Sequence, residues 1–191
     1  MRLRIHRTDG RTGRYVQPDE RRVGMLVKRF DPTRLFTSGP IVVGVLNPFT
    51  VLNADEVCWV EVSTDRPLSK GDMPGIEHLR RLADRAEYEA LLARQWPQWR
   101  KHRTGKPGDL MEALIELSFR GGDIQYLHAV GVATRTPLPS LIFGDRAITA
   151  GFSEPGLVYF NPRTIVRARV YHSRSEIEYP HGLWCAEADD I

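Results

Sequence analysis

Two groups of residues in this sequence have the composition of a surface that holds phosphate. The first lies in "RLRIHRTDGRTGRYV", where Arg2, Arg4 and His6 fall on one side of a period-two alternation and Arg11 and Arg14 follow closely. The second is "WPQWRKHRTGKPGD", with Trp96, Trp99, Arg100, Lys101, His102, Arg103 and Lys106. Cations meet a phosphate backbone, and an indole stacks on a base whatever the base is. Arg2, Arg4, Arg11, Arg14, Trp99, Arg100, Lys101, Arg103 and Lys106 are therefore the candidate nucleic-acid-binding residues. The same residues also have a plain structural reading. A strand can present cations to solvent, and two tryptophans three apart after a helix can anchor that helix to a core.

Other chemistry is harder to assemble. None of the six histidines pairs at zincin spacing, and Cys58 and Cys185 make neither a disulfide scaffold nor a zinc set. His172, His181 and Cys185 are close in sequence but lack an evident third ligand or orienting group. Gly105-Lys106 is not a phosphate loop, because Arg100 and Pro107 stand where glycine and a hydroxyl residue are required. There is no G-x-S-x-G elbow and no G-x-G-x-x-G fingerprint. Glu112 and Glu116 would share a face only on a helix, and their segment alternates like a strand. No cofactor and no metal is implied. An enzyme of unfamiliar type would place its site between two β-rich units, with Glu116, His128, Tyr171 and His172 as candidates.

The elements that must position these groups can be read from pattern. Leu3 and Ile5 oppose the cations of the first strand, and Asp9-Gly10 supplies a turn, so 2–16 reads as a hairpin. Pro18-Asp19 starts a helix, Val23, Leu26, Val27 and Phe30 form its apolar stripe, and Asp31-Pro32 stops it. Strands follow at 41–46, 49–52 and 57–62, with a turn near Asn47-Pro48 and another at "NADE". After a mixed linker, Ile76, Leu79, Leu82, Ala83, Ala86, Ala90 and Ala93 predict a helix over 76–95, ended by Pro97. Strands return at 113–119 and 124–128 around "RGGD", then near 147–152, 157–160 and 165–171, before an edge segment and an acidic tail.

The second half echoes the first. At a spacing of 107 residues, Phe36, Ile41, Gly44, Pro48 and Val51 meet Phe143, Ile148, Gly151, Pro155 and Val158. Chance gives about one identity in such a window, since each residue type makes up only some 5–10% of a chain. One inserted residue then aligns Asn53 with Asn161, and at a spacing of 112 Leu3, Ile5 and Gly10 meet Ile115, Leu117 and Gly122. The shared residues shape hairpins and carry no reactive group. The expected fold is α+β: two antiparallel β-rich units, each ββαβββ-like, the second lacking most of its helix, joined by a helical segment. The units would span 1–64 and 111–191, with 65–110 as a helical connector bearing the basic tryptophan loop, and the whole could form one pseudo-symmetric domain.

Composition bounds the function classes. Forty-one per cent hydrophobic residues in 191 support a sizeable core. No apolar run reaches the roughly 18 residues needed to span a bilayer, and the charged start lacks the apolar segment of a signal peptide, so a soluble cytoplasmic protein is expected. Lys28, Lys70, Lys101 and Lys106 are the only lysines among 27 basic residues, an arginine bias that fits a bacterial or phage source. Residues 1–34 carry ten basic and four acidic groups, a difference of +6, whereas the whole chain is only +3. That asymmetry fits an anion-binding face or a solvated surface. The leading expectation is a non-catalytic protein–protein interaction or assembly module that binds a partner or itself. A nucleic-acid-binding accessory protein and an enzyme are the alternatives.

Overall fold

Gly10 takes φ +75°, and the turn it permits folds β1 (Arg2–Arg7) onto β2 (Thr12–Val16). In this computed structural model the described residues are 1–44, 49–71, 73–101, 108–132, 142–153 and 155–173. Asp19 caps α1 (Glu20–Val27), its carboxylate accepting from the backbone N–H groups of Arg21 and Arg22. The helix ends at Val27, ahead of the Asp31-Pro32 stop, and Phe30 is buried beyond its end. A ribbon of β3 (Ile41–Gly44) and β4 (Phe49–Leu52) follows, then a 3-10 turn at Ala54–Glu56 and β5 (Val57–Ser63). β5 is buried on both faces, as the apolar run from Val57 to Val60 predicts.

The next segment corrects the sequence reading. Ile76–Arg81 is a strand, β6, and only Arg85–Lys101 is helical, as α2. Ile76, Leu79 and Leu82 fit the helical period, but the chain up to Arg81 is paired with a neighbouring strand. The helix starts where Asp84 Oδ1 accepts the Glu87 N–H at 2.9 Å and Glu87 Oε2 accepts the Ala83 N–H at 2.7 Å. Pro97 does not end α2 but lies inside it. The cost of an interior proline is about 3 kcal/mol, and packing of Trp96 against Tyr171 and of Trp99 into a core offsets it.

β7 (Leu110–Phe119), β8 (Ile124–Val132), β9 (Ile148–Ala150), β10 (Gly156–Phe160), a 3-10 turn at Pro162–Thr164 and β11 (Ile165–His172) complete the described chain. The fold is mixed α+β, with eleven strands in three antiparallel sheets and two helices among the described residues. The sheet orders are β2-β1-β5-β10-β9, β11-β7-β8-β6, and β3-β4. A parallel bridge between Arg80 and Gly151 ties the two larger sheets. Both contribute to one core, which includes Trp59, Ile115, Leu117, Phe119, Leu127, Ile148, Val158 and Phe160. A second cluster joins Ile5, Val60, Val62, Leu157 and Tyr159 to Phe30, Phe36 and Leu52.

Part of the pairing is common to the two halves, although β5 also pairs with β10 and β11 has no such neighbour among the described residues. β1 pairs with β2 and β5, and β7 pairs with β8 and β11. Ile5 faces Val60 as Leu117 faces Ala168, and each ladder shifts register at the same place, around Cys58 and around Val166. Asn53 and Asn161 each precede a 3-10 turn, and their side chains accept from Asp55 and Arg163 N–H. The ribbons also match, Ile41 opposite Leu52 and Ile148 opposite Phe160. That register sets Leu52 with Phe160 and Val51 with Tyr159, so the one-residue insertion precedes the second strand of the ribbon. The sequence alignment, which set Val51 with Val158, is one residue out there.

Candidate functional site

One row of residues crosses the first sheet: Arg14 on β2, Arg4 on β1, Glu61 on β5, Val158 on β10 and Ala150 on β9. Val158 and Ala150 are fully buried in the core shared with the second sheet, whereas Arg14 is exposed and Arg4 half-exposed. The β1–β2 end of this face thus overhangs the sandwich. Glu61 stands at the boundary, with its side chain 7% exposed.

Two arginines and a histidine converge on that one carboxylate. Arg81 Nη1 donates to Oε1 at 2.5 Å, His6 Nε2 lies 3.2 Å from the same oxygen, and Arg4 Nη1 donates to Oε2 at 3.4 Å. The His6 ring stacks on Trp59 with centroids 4.4 Å apart, and its Nδ1 is 3.1 Å from Thr12 Oγ1. Arg81 lies over the Phe152 ring, 5.3 Å from its centroid. Burial works to raise the Glu61 carboxyl, but the contacts and charges of His6 and Arg81 outweigh it and hold the group at about 2. Such a carboxylate stays ionised near neutrality. It cannot serve as a general acid there, and it ties the second sheet to the first through Arg81. Two arginines around one carboxylate leave an excess of positive charge at the overhang.

The predicted binding residues are dispersed. Arg4 and Arg14 are cross-strand partners. Arg2 lines a cavity of about 270 Å³ with Met1, Glu20, Val23, Ser63 and Arg66. Arg11 is 80% exposed, lies 3.8 Å from Asp9, and lines a cavity of about 220 Å³ with Ile5, Arg7, Tyr15, Thr50 and Leu52. Trp99 is buried with Leu82, Tyr88 and Leu114 beneath α2, so its ring is not offered to a base. Arg100 and Lys101 are exposed at the C-terminal end of α2, where cations suit the helix dipole. Arg103 and Lys106, like His102, His181, Cys185 and the acidic tail, lie outside the described residues.

The enzyme candidates sit elsewhere than expected. His128 and Tyr171 both partner Leu114, and Glu116 partners Tyr126. This places Glu116, His128 and Tyr171 on the face of the second sheet that α2 covers, not between the two units. Arg167 Nη2 donates to Glu116 at 2.8 Å. Burial pushes His128 below the usual histidine range. His172 is the last residue of β11.

Sequence reasoning missed Glu61, Arg81 and the outer face of the β3–β4 ribbon. A signal for Glu61 was present: it is the lone charge in the apolar run "VCWVEVS". The ribbon turns Ile41, Val43 and Leu52 toward the second cluster and leaves Val42 59%, Phe49 60% and Val51 53% exposed. Its counterpart in the second half is buried, with Thr149 at 7%, Leu157 at 6% and Tyr159 at 0%.

No family model matches the chain, and neither a curated protein nor a solved structure is significantly similar to it. No helix among the described residues is long and apolar enough to cross a membrane. Fold and surface together define a mixed α+β protein whose two halves share a pairing pattern. Two of its surfaces stand out, a cationic overhang and an uncovered apolar ribbon.

Proposed function

We propose that this chain is a non-catalytic protein–protein interaction module that takes part in an assembly. The observation that carries the reading is the uncovered face of Val42, Phe49 and Val51, when the matching face of β9–β10 is buried within the same chain. A contiguous exposed apolar face rimmed by polar residues is a common feature of protein interaction sites. Affinity capture from a native lysate tests it, with Phe49→Asp as the comparison bait. Retention of a partner, or of the chain itself, by the wild type and its loss from the variant supports the reading. Equal capture by both baits refutes it.

A second reading has its own support. Arg4 and Arg14 neighbour each other on the overhang, where the positive charge around Glu61 exceeds the negative. That arrangement suits a phosphate-bearing ligand such as a single-stranded oligonucleotide. Titration of a fluorescent oligonucleotide at two salt concentrations tests it. Each phosphate contact removed, by Arg4→Ala or Arg14→Ala, lowers the salt slope by about 0.7 for single strands. Absence of salt-sensitive binding below tens of micromolar ends this reading.

A further inference from the structure

We infer that the partner of the β3–β4 ribbon is a second copy of this chain, packed ribbon face to ribbon face across a two-fold axis. The inference rests on the assembly reading and names its occupant.

Charge selects the occupant. Leu35 through Ala54 contains no charged residue, in a chain where 27% of residues are charged. The matching segment of the second half, Ile142 to Asn161, carries Asp145, Arg146 and Glu154. A charged partner face would lose solvation against this ribbon without gaining a counter-ion. An identical ribbon, itself uncharged, does not meet that objection. In a two-fold contact the same patch lies on both sides and must complement itself. An uncharged face does this without repulsion.

The shape of the ribbon agrees. Val42 and Val51 are direct cross-strand partners, so they stand side by side on the outward face. Phe49 lies two residues from Val51 on that face, and its own cross-strand partner is Gly44, which adds no side chain beside the ring. The second half supplies the precedent for what such a ribbon does when covered. There the corresponding outward face, Thr149, Leu157 and Tyr159, is sealed by apolar side chains, among them Phe30, 5.8 Å from the Tyr159 ring. The outer edge of β10 is paired with β5, and no strand pairs with the outer edge of β4 among the described residues.

Two four-residue strands present less than the roughly 800 Å² per partner of a standard interface. Association at concentrations on the order of tens of micromolar, rather than a permanent dimer, is therefore expected.

Sedimentation velocity from 1 to 300 µM distinguishes the outcomes. For the wild type, the weight-average mass rises toward twice that of the monomer. Val51→Lys, a substitution at an exposed position, weakens self-association at least tenfold while its far-ultraviolet circular dichroism and melting curve stay those of the wild type. Phe49→Asp repeats the effect at a second site. A wild type that remains monomeric throughout overturns the inference, as does a Val51→Lys variant that dimerises equally well. Lysate capture separates this failure from that of the broader reading. A monomer that retains a different protein through the ribbon, lost on Phe49→Asp, overturns self-pairing and leaves the assembly reading standing. A monomer with no such partner ends both.

Discussion

Arg81, the last residue of β6, donates to Glu61 on β5 across 2.5 Å, so a charge-assisted hydrogen bond links two different sheets. Glu61 also holds Arg4 and His6 on the neighbouring strand. Neutralising the shared carboxylate weakens its contacts with both arginines and the histidine at once. Losing one side of a buried ion pair costs about 3–5 kcal/mol, and the partial exposure of Arg4 places Glu61→Gln near the lower end. Arg81→Ala leaves Glu61 its contacts with Arg4 and His6 and should cost less, about 2 kcal/mol. Urea unfolding of both single variants and the double variant is expected to give a coupling of at least about 1 kcal/mol.

The same carboxylate predicts an acid limb. Its folded value of about 2 lies below the ordinary 4.5. A depressed carboxylate contributes fully above its unfolded value, and the contribution disappears as pH falls toward the folded one. Stability should therefore fall between pH 4.5 and 2, by up to about 3 kcal/mol for this group. Glu61→Gln should flatten that limb. His128 acts at higher pH. Burial holds its folded value below 6.5, so the unfolded chain takes the proton first and stability declines as pH drops below 6.5. His128→Gln should remove that decline and leave the lower limb. Urea midpoints of the three proteins from pH 8 to 2 separate the two effects.

What the sequence made legible was local. Asp9-Gly10 and Gly121-Gly122 announce their hairpins because positive φ is a property of the residue itself, and Asp19 marks its helix because a cap needs only its own carboxylate. The recurrence of hairpin-shaping residues at fixed spacing was legible because each such residue is a local signal. Glu61 was not, because its partners come from fifty-five or more residues before it and from twenty after it, and no local pattern links them. β6 was misread because Ile76, Leu79 and Leu82 satisfy a helical period while the strand is set by distant β8. The ribbon surface was invisible for a related reason. Val42 and Val51 have apolar neighbours in sequence on either face of the ribbon, and only the packed fold shows which face remains uncovered.

Asn161 and Asn53 occupy matching places and should answer mutation unequally. Asn161 is fully buried, its Nδ2 donates to the carbonyls of Ala54 and Val57 at 2.9 Å, and its Oδ1 accepts from Arg163 N–H at 3.1 Å. It thus joins the second 3-10 turn to the first. Asn161→Ala removes a donor shared by two carbonyls inside the protein, of which that of Ala54 keeps the Val57 N–H, and also removes the acceptor of Arg163 N–H, a loss expected to be about 2–3 kcal/mol. Asn53 is exposed, and its side chain caps only its own turn, accepting from Asp55 N–H. Asn53→Ala should cost about 1 kcal/mol or less. Thermal melts of the two variants should differ by several degrees. Equal losses would show that the two turns bear the same load.

α2 offers a prediction of the opposite sign. Pro97 removes a backbone donor inside the C-terminal part of Arg85–Lys101 and crowds the carbonyl four residues earlier. Its side of the helix is exposed, so no packing is lost when the ring is removed. Pro97→Ala should therefore stabilise the protein, by about 2 kcal/mol once the greater freedom of the unfolded chain is subtracted. Trp99, two residues on, is 7% exposed among Leu82, Tyr88 and Leu114, and Trp99→Ala should cost about 3–5 kcal/mol. The contrast tests what holds this helix. If packing against the second sheet dominates, the gain at Pro97 is smaller than the loss at Trp99, and helical circular dichroism falls only in the latter. If local propensity dominates, the two changes are similar in size, and the tryptophan is an ornament of the helix rather than its anchor.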